Sequence, residues 1–413
     1  MTGLRTVEEQ QAVVLAAVHP LPAETLPLGA AAGRTLAAPV RAAVDIPAFD
    51  NSAMDGFAVR AADVVHARAE QPVPLRVVAD LPAGTPDDPA LSPGEAARIM
   101  TGSPVPTDAD AIVPFEDTVG GLADSLDTVT VLAAPRAAAH IRRRGEDART
   151  GDVILPAGVA LGAWQLSAAA AAGVAEVEVA RAPRVAVVST GSELVEPGRP
   201  LRRGQIPESN SILLAALVAA AGGDVVARES VDDDGEGLRT VLAAVTGGQS
   251  PADVVVFSGG VSAGAYEVVK NELAGTMAFS KVAMQPGKPQ GFGVLPGGTL
   301  LFGLPGNPVS AAVSFEVFVR PALLALQGRT DIARPVLRLP AAAAWRTPPT
   351  RRQYLPVVID RTDPSRWTVR PASAGGSGSH LAGGLGAAEA LAVIPAETDA
   401  VAAGDLVDVL LLD

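Results

Sequence analysis

Three short runs of this chain are small and glycine-bearing in a way that suits backbone recognition of phosphate. They are Ser258-Gly259-Gly260-Val261-Ser262-Ala263-Gly264, Ser189-Thr190-Gly191-Ser192-Glu193-Leu194 and Leu304-Pro305-Gly306-Asn307-Pro308. With so little side-chain bulk, a ligand can reach the backbone amides. A fourth run, Gln285-Pro286-Gly287-Lys288-Pro289, carries a lysine that can act as a point donor to a phosphate or oxyanion. A fifth, Asp232-Asp233-Asp234, is acidic, as is Glu193. Carboxylates beside phosphates repel them unless a cation such as Mg²⁺ bridges the two. The expected chemistry is therefore recognition of a phosphate-bearing ligand, with Mg²⁺ bridging it to the carboxylates. A Walker A loop and a Rossmann GxGxxG are both missing, which sets aside ATP hydrolysis and dinucleotide redox chemistry.

The elements that hold these runs alternate between strand and helix. The stretch 253–257 is β-branched without alternation, as in a strand covered on both faces. From Arg184 onward, strands are expected at 185–188, 225–227, 254–257, 279–284 and 300–304. Helices are expected at 210–221, 235–245, 264–274 and 308–326. Pro308 fits a first helical turn, and Pro321 should kink the last helix. This alternation predicts a doubly wound, mostly parallel sheet whose βα loops share one edge, so all five runs should converge there.

The rest of the chain reads differently. Thr6-Val7-Glu8-Glu9 fits a capping box opening a helix to about His19, and 28–38 reads as a second short helix. Short strands divided by Pro and Gly from 73 to 131 predict a small β-rich domain. Residues 151–158 read as a hairpin, and 162–172 as a helix. The tail loses its helices and reads as a β barrel or sandwich. The expected domains are 1–44 with 137–180 as a discontinuous N-terminal domain, 45–136 as an inserted β-rich domain, 181–328 as the doubly wound domain, and 329–413 as a C-terminal β domain.

Composition bounds the partners. The 413 residues are 48% hydrophobic and 19% charged, as in globular chains, with a net charge of −13. That acidity argues against a nucleic-acid groove or an anionic membrane surface, though not against a local anion pocket. Cysteine is absent, so thiolate zinc sites and thiol nucleophiles are excluded. The N-terminus does not read as a signal peptide and no apolar run reaches the ~20 residues of a membrane span, so a cytoplasmic protein is expected.

With these residues assembled, the chain resembles the molybdopterin molybdenumtransferase family, which includes the MoeA proteins and the gephyrin E-domain. The motifs are FDNSAMDGFAV at 49–59, RIMTGSPVP at 98–106, RRRGED at 142–147, STGSEL at 189–194, SGGVSAG at 258–264, PGKP at 286–289 and GLPGNPVS at 303–310. The resemblance implies a four-domain homodimer that binds adenylylated molybdopterin. It implies insertion of molybdate and release of AMP with Mg²⁺, the partner subunit's N-terminal domains helping to close the site. A molybdopterin adenylyltransferase is an implied partner.

It also carries functional roles onto Asp55, Thr101, Asp147, Glu193, Asp233, Asp234, Lys288 and Ser310. For molybdate it implies Arg351 or Arg352, together with Ser379. On this reading Thr190, Gly191, Ser192, Ser258, Gly259, Gly260, Ser262, Pro305, Gly306, Asn307 and Pro308 surround phosphate and pterin, and Glu193, Asp234 and Glu267 are the candidate Mg²⁺ ligands. Two positions depart from the family pattern: Gln285 replaces a lysine and Glu267 an aspartate. The first removes a cation, which implies weaker turnover or compensation by another cation. Two further readings follow from the family: a gephyrin-like scaffold that binds a short peptide between the last two domains, and a tungsten-selective relative.

Overall fold

The computed structural model describes residues 4–122, 126–262, 267–373 and 382–412. The doubly wound domain is built on a six-stranded sheet. Its strands, in chain order, are β1 (Arg184–Thr190), β2 (Asp224–Val231), β3 (Val254–Ser258), β4 (Met277–Lys281), β5 (Pro289–Val294) and β6 (Leu300–Leu304). They lie in the order β2-β1-β3-β6-β5-β4. The first four are mutually parallel, while β5 runs antiparallel to both β6 and β4. The strands read as uninterrupted apolar runs because both faces are covered. Val185, Val187, Val254, Val256 and Phe302 pack to one side, and Ala186, Val188, Val255, Phe257 and Leu301 to the other.

Strand β5 escapes a sequence reading because Pro289, Gly291 and Gly293 lack β-strand character. The glycines are required by packing: a Cβ on Gly291 would stand 2.9 Å from the Phe279 ring. The expected strand 279–284 is really two pieces. β4 ends at Lys281, and Met284–Gln285 then leaves this sheet to pair in parallel with Arg352 and Gln353 of the C-terminal domain.

The helices are α1 (Asn210–Ala220), α2 (Glu236–Thr246), α3 (Val268–Leu273), α4 (Pro308–Ser314) and α5 (Arg320–Leu326). The start expected for the helix at 264–274 falls outside the described residues. Helices α4 and α5 are one continuous rod joined by a π-helical segment, Phe315–Val319. The kink expected at Pro321 takes this form. Proline cannot donate to an ordinary helical ladder, and the wider turn just before it absorbs the mismatch. The rod Pro308–Leu326 is long and apolar enough to cross a membrane, but 78% of its most apolar window is buried inside the domain, as befits a core helix.

The N-terminal helix Val7–Ala16 has both bonds of the predicted capping box, between Thr6 and Glu9. Its Val7 and Val14 enter the core of the doubly wound domain rather than that of the segments following it. The helix expected at 28–38 does not form. Ala23–Pro27 is a strand paired with Glu176–Ala180, and only a 3-10 turn, Leu28–Ala30, follows. Pro27 and Gly33 flank a stretch too short for a stable helix, and its alanines mimic helical composition. Likewise 151–158 is not a self-contained hairpin, because Val153–Leu155 pairs with Val40–Arg41. Residues 31–40 and 161–179 share one core.

The inserted segment forms a six-stranded sheet in which the strand Gly56–Val59, second from one edge, is fully buried. The C-terminal segment curls a sheet of Arg352–Asp360, Ala390–Ile394, Leu406–Leu411 and Val336–Pro340 around a core containing Trp345, Leu355 and Val409. The fold is thus multidomain α/β: a doubly wound domain accompanied by mixed, β-rich and barrel-like β domains.

Candidate functional site

At the carboxyl edge of β1, β3 and β6 lies a cleft of about 670 Å³. Strand β5 runs the opposite way, so its beginning, and the 285–288 turn before it, reach the same edge. The cleft is lined by Thr190, Gly191 and Glu193 after β1, Asp233 after β2, Ser258 to Ser262 and Glu267 after β3, Gln285 to Lys288 before β5, and Pro305 to Pro308 with Ser310 after β6. All five runs singled out by residue type therefore meet in one place. Open α/β sheets bind ligands here because strand ends and helix starts leave backbone donors unpaired.

Local packing explains why these loops have their sequences. Gly259 has φ +96°, and a Cβ on it would stand 2.6 Å from the Thr190 carbonyl oxygen, so the loops after β1 and β3 touch through glycine alone. A Cβ on Gly191 would meet a Glu193 carboxylate oxygen at 2.6 Å, so Glu193 folds back over the backbone of its own loop. Ser192 donates through both N–H and Oγ to Asp233 at 3.1 Å, tying the middle residue of the acidic run to the β1 loop. The Ser262 amide donates to Glu267 at 2.6 Å, closing the described part of the β3 loop. Gln290 donates to the Gly287 carbonyl and to Ser314 Oγ, both at 2.7 Å, and so fixes the turn that presents Lys288. Lys288 is half-buried and pairs with no carboxylate among the described residues.

Some expected residues stand elsewhere. Asp234 does not line the cleft; its carboxylate accepts from the Glu236 and Gly237 amides at the start of α2, an ordinary use of aspartate at a helix start. Of the expected trio Glu193, Asp234 and Glu267, the first and last line the cleft, and Asp233 rather than Asp234 stands in its wall. Among the described residues no group of three or more ligating side chains could by itself hold a metal ion. Ser192 is exposed beside the cleft rather than in its wall. Arg352 points to Glu8 of the N-terminal helix, away from the cleft. Ser379 lies outside the described residues, as do Ala263 and Gly264.

Asp55, Thr101 and Asp147 are also absent from the cleft wall of their own chain. Asp55 and Thr101 do meet: the Thr101 amide and hydroxyl each donate to Asp55 Oδ1 at 2.7 Å. These bonds, the backbone one first, hold the Asp55 carboxyl below the usual carboxylate range. Asp147 lies in a turn nearby in sequence to the ion pairs Arg143–Asp50 and Arg144–Asp45, and its amide donates to the Ile46 carbonyl at 3.0 Å.

Sequence reading missed three contributors. Glu208 and Asn210 line the cleft although both are buried. The only sequence signal was their position at the start of a helix, Glu208 just ahead of it and Asn210 its first residue, where polar residues are expected. The third is a contact: Arg351 Nη1 donates to Gln285 Oε1 at 2.6 Å. It exists because Met284–Gln285 is annexed by the C-terminal sheet. The residue that removes a cation from the cleft is thus held by another cation.

The acid–base balance of the wall is lopsided. Glu193, Glu208, Asp233 and Glu267 face a single lysine, Lys288. A polyphosphate entering such a wall needs added positive charge. Mg²⁺ characteristically takes one or two protein carboxylates and completes its shell with phosphate oxygens and water. The donor set fits that mode and not an all-protein cage.

Comparison with known proteins agrees with this architecture. Residues 5–173 match the model described as "MoeA N-terminal region (domain I and II)", 186–325 the "Probable molybdopterin binding domain", and 338–412 the "MoeA C-terminal region (domain IV)". The chain is 44% identical over 409 residues to molybdopterin molybdenumtransferase 2 of Mycobacterium tuberculosis, covering 97% of this chain and 98% of that one. It is 35% identical to the molybdopterin molybdenumtransferase of Haemophilus influenzae over 94% of each chain. The crystal structure of a molybdopterin biosynthesis MoeA protein from Pyrococcus horikosii superposes with a TM-score of 0.80 at 30% identity, covering 100% of both chains. The chain belongs to the MoeA family of molybdopterin molybdenumtransferases.

Proposed function

We propose that this protein inserts molybdate into adenylylated molybdopterin, releasing AMP and the molybdenum cofactor. The observation that carries the reading is the convergence of five loops on one cleft holding Lys288, Gln285 and three glycine-bearing turns. The cleft volume of about 670 Å³ lies in the range of small-molecule sites. The backbone amides around Gly260 and Gly306 would take phosphate oxygens, the Gly259 amide being bonded to the Leu304 carbonyl at 3.0 Å. Lys288 would neutralise molybdate or leaving-group charge, with Ser310 beside it. Mg²⁺, where bound, supplies the charge that lets phosphate sit beside Glu193, Asp233 and Glu267. No side chain is required as a covalent nucleophile; positioning and preorganised charge lower the barrier.

The reading also assigns a place to Asp55, Thr101 and Asp147. In a homodimer these residues of one subunit would close the cleft of the other, which accounts for a pair of hydrogen-bonded functional side chains with no cleft of its own. A cytoplasmic location and direct supply of the adenylylated substrate by an adenylyltransferase belong to the same proposal. The test is an in-vitro insertion assay with adenylylated molybdopterin, molybdate and Mg²⁺. Molybdate-dependent AMP release and reconstitution of an apo-molybdoenzyme are expected; their absence refutes the reading.

A further inference from the structure

The turn that carries Asp147 is braced at both ends by carboxylates from another segment. Asp50 grips its entry: Oδ1 accepts from the Arg144 amide at 2.7 Å and Oδ2 from Arg143 Nη1 at 2.6 Å. Asp45 grips its exit: Oδ1 accepts from the Thr150 amide at 2.8 Å and from the Thr150 hydroxyl at 2.9 Å. The other oxygen of Asp45 reaches back to Arg144 Nε at 2.5 Å. Backbone bonds run beside these, the Gly145 amide donating to the Pro47 carbonyl at 2.9 Å. Gly145 itself has φ +68°, which a glycine adopts without steric cost. Between the two grips the side chain of Asp147 is exposed. Its carboxylate has no hydrogen-bond or ion-pair partner among the described residues.

The same segment, 45–55, ends in Asp55, whose carboxylate holds the Thr101 turn through an amide and a hydroxyl, as Asp45 holds Thr150. Exposed ion pairs add little to stability, so stability does not account for this concentration of them. Their effect is geometric. Three stretches far apart in sequence become one rigid unit, and the free carboxylate of Asp147 is fixed relative to Asp55 and Thr101. Both grips are charged at neutral pH. The Thr150 amide above all holds the Asp45 carboxyl down to about 2, and the Arg144 amide holds that of Asp50 below the usual carboxylate range.

We propose that Asp45 and Asp50 are positioning residues for the transfer reaction, holding the Asp147 carboxylate where it meets the ligand in the partner subunit's cleft. This deepens the transferase reading and rests on it and on its homodimer. Neither residue touches the ligand; both act through Asp147. The signature is therefore a loss of rate and not of binding, because the loops of the doubly wound domain that grip the ligand are left alone.

The assay is molybdate-dependent AMP release by the intact protein. Asp50→Ala frees the Arg144 amide and breaks the pair with Arg143. It should lower kcat by about ten- to a hundredfold, as misplacing a reacting group by about 1 Å does, with the KM for adenylylated molybdopterin within about twofold of wild type. Asp50→Asn, which can still accept from the amide, should lose less. Asp45→Ala releases the other grip and should show the same split, so that if one variant fails to fold the other decides. Arg76→Ala, which breaks an exposed ion pair with Glu95 elsewhere in the inserted sheet, should leave both constants unchanged. Complementation gives the readout that a merely structural role would not move. Asp50→Ala and Lys288→Ala subunits are co-expressed with different tags, and the mixed dimer is isolated by two affinity steps. One of its two sites then joins an intact Lys288 to an intact clamp, so release should return to about half the wild-type value per dimer. An unchanged kcat in either clamp variant, a loss confined to KM, or a mixed dimer as inactive as its parents overturns the proposal. Wild-type release in those cases leaves the transferase reading standing; absence of release from the wild type overturns both.

Discussion

Removing the Arg351 guanidinium should cost the protein affinity for molybdate, and adding a lysine at 285 should restore it. Arg351 is half-buried and donates to Gln285 at 2.6 Å, and Gln285 lines the cleft beside Lys288. One donor is spent on the glutamine; the other N–H groups of the fork and the whole charge remain. A unit charge about 4 Å from an oxyanion contributes on the order of 1 kcal/mol in water and about 4 kcal/mol at an effective dielectric of 20. Arg351 stands behind the cleft wall rather than in it, so the lower part of that range applies, about 1–2 kcal/mol. That corresponds to a rise of roughly 5- to 30-fold in the molybdate KM. The assay is AMP release at fixed adenylylated molybdopterin with varied molybdate. Arg351→Ala should raise the molybdate KM with little change in affinity for the pterin nucleotide. Gln285→Lys in that background should recover most of the loss, and in the wild-type background should add little. A double-mutant cycle reads the coupling directly. An unchanged KM in Arg351→Ala, or a Gln285→Lys variant that fails to rescue it, refutes the idea that one cation substitutes for the other.

Other outcomes follow from single contacts. Lys288→Ala should abolish molybdate-dependent AMP release while adenylylated pterin still binds, as a filter-binding assay would report. Chelation of Mg²⁺ should stop release, and Glu267→Gln should raise the Mg²⁺ concentration needed to restore it; indifference to Mg²⁺ would contradict the charge argument. Phe302→Ala, at a 1% exposed position under the cleft, should destabilise the protein by about 3–5 kcal/mol in denaturant titration. Asp45 accepts from the Thr150 amide and hydroxyl and pairs with Arg144, which holds its carboxyl down to about 2 from 3.8. Its stabilising contribution should be fully present above pH 3.8 and fade as the pH falls through about 2. Carboxyl NMR titration checks this, and a midpoint near 3.8 would contradict it.

What could be read in advance depended on how local its cause was. Val254–Ser258 and the loop after it announce themselves, since an apolar β-branched run closed by glycine and serine has few other uses. The strand Pro289–Val294 was hidden because its glycines answer to Phe279 and Met277 on a neighbouring strand, which no local pattern displays. Within Asp232-Asp233-Asp234 the residue type could not say which carboxylate turns to the cleft and which caps α2; backbone direction decides that. Arg351 and Gln285 are 66 positions apart and meet only because two residues of one domain join the sheet of another. Asn210 and Glu208 gave no signal beyond their place at a helix start, because it is burial that converts an ordinary polar residue there into a wall of the cleft.

The most direct measurement is a crystal structure of the protein soaked with AMP and molybdate. The account predicts the AMP phosphate against the amides of Gly260 and Gly306, with molybdate in contact with Lys288 and close to Arg351. Both ligands bound on another face, or molybdate seated away from Lys288 while AMP occupies the cleft, would contradict it.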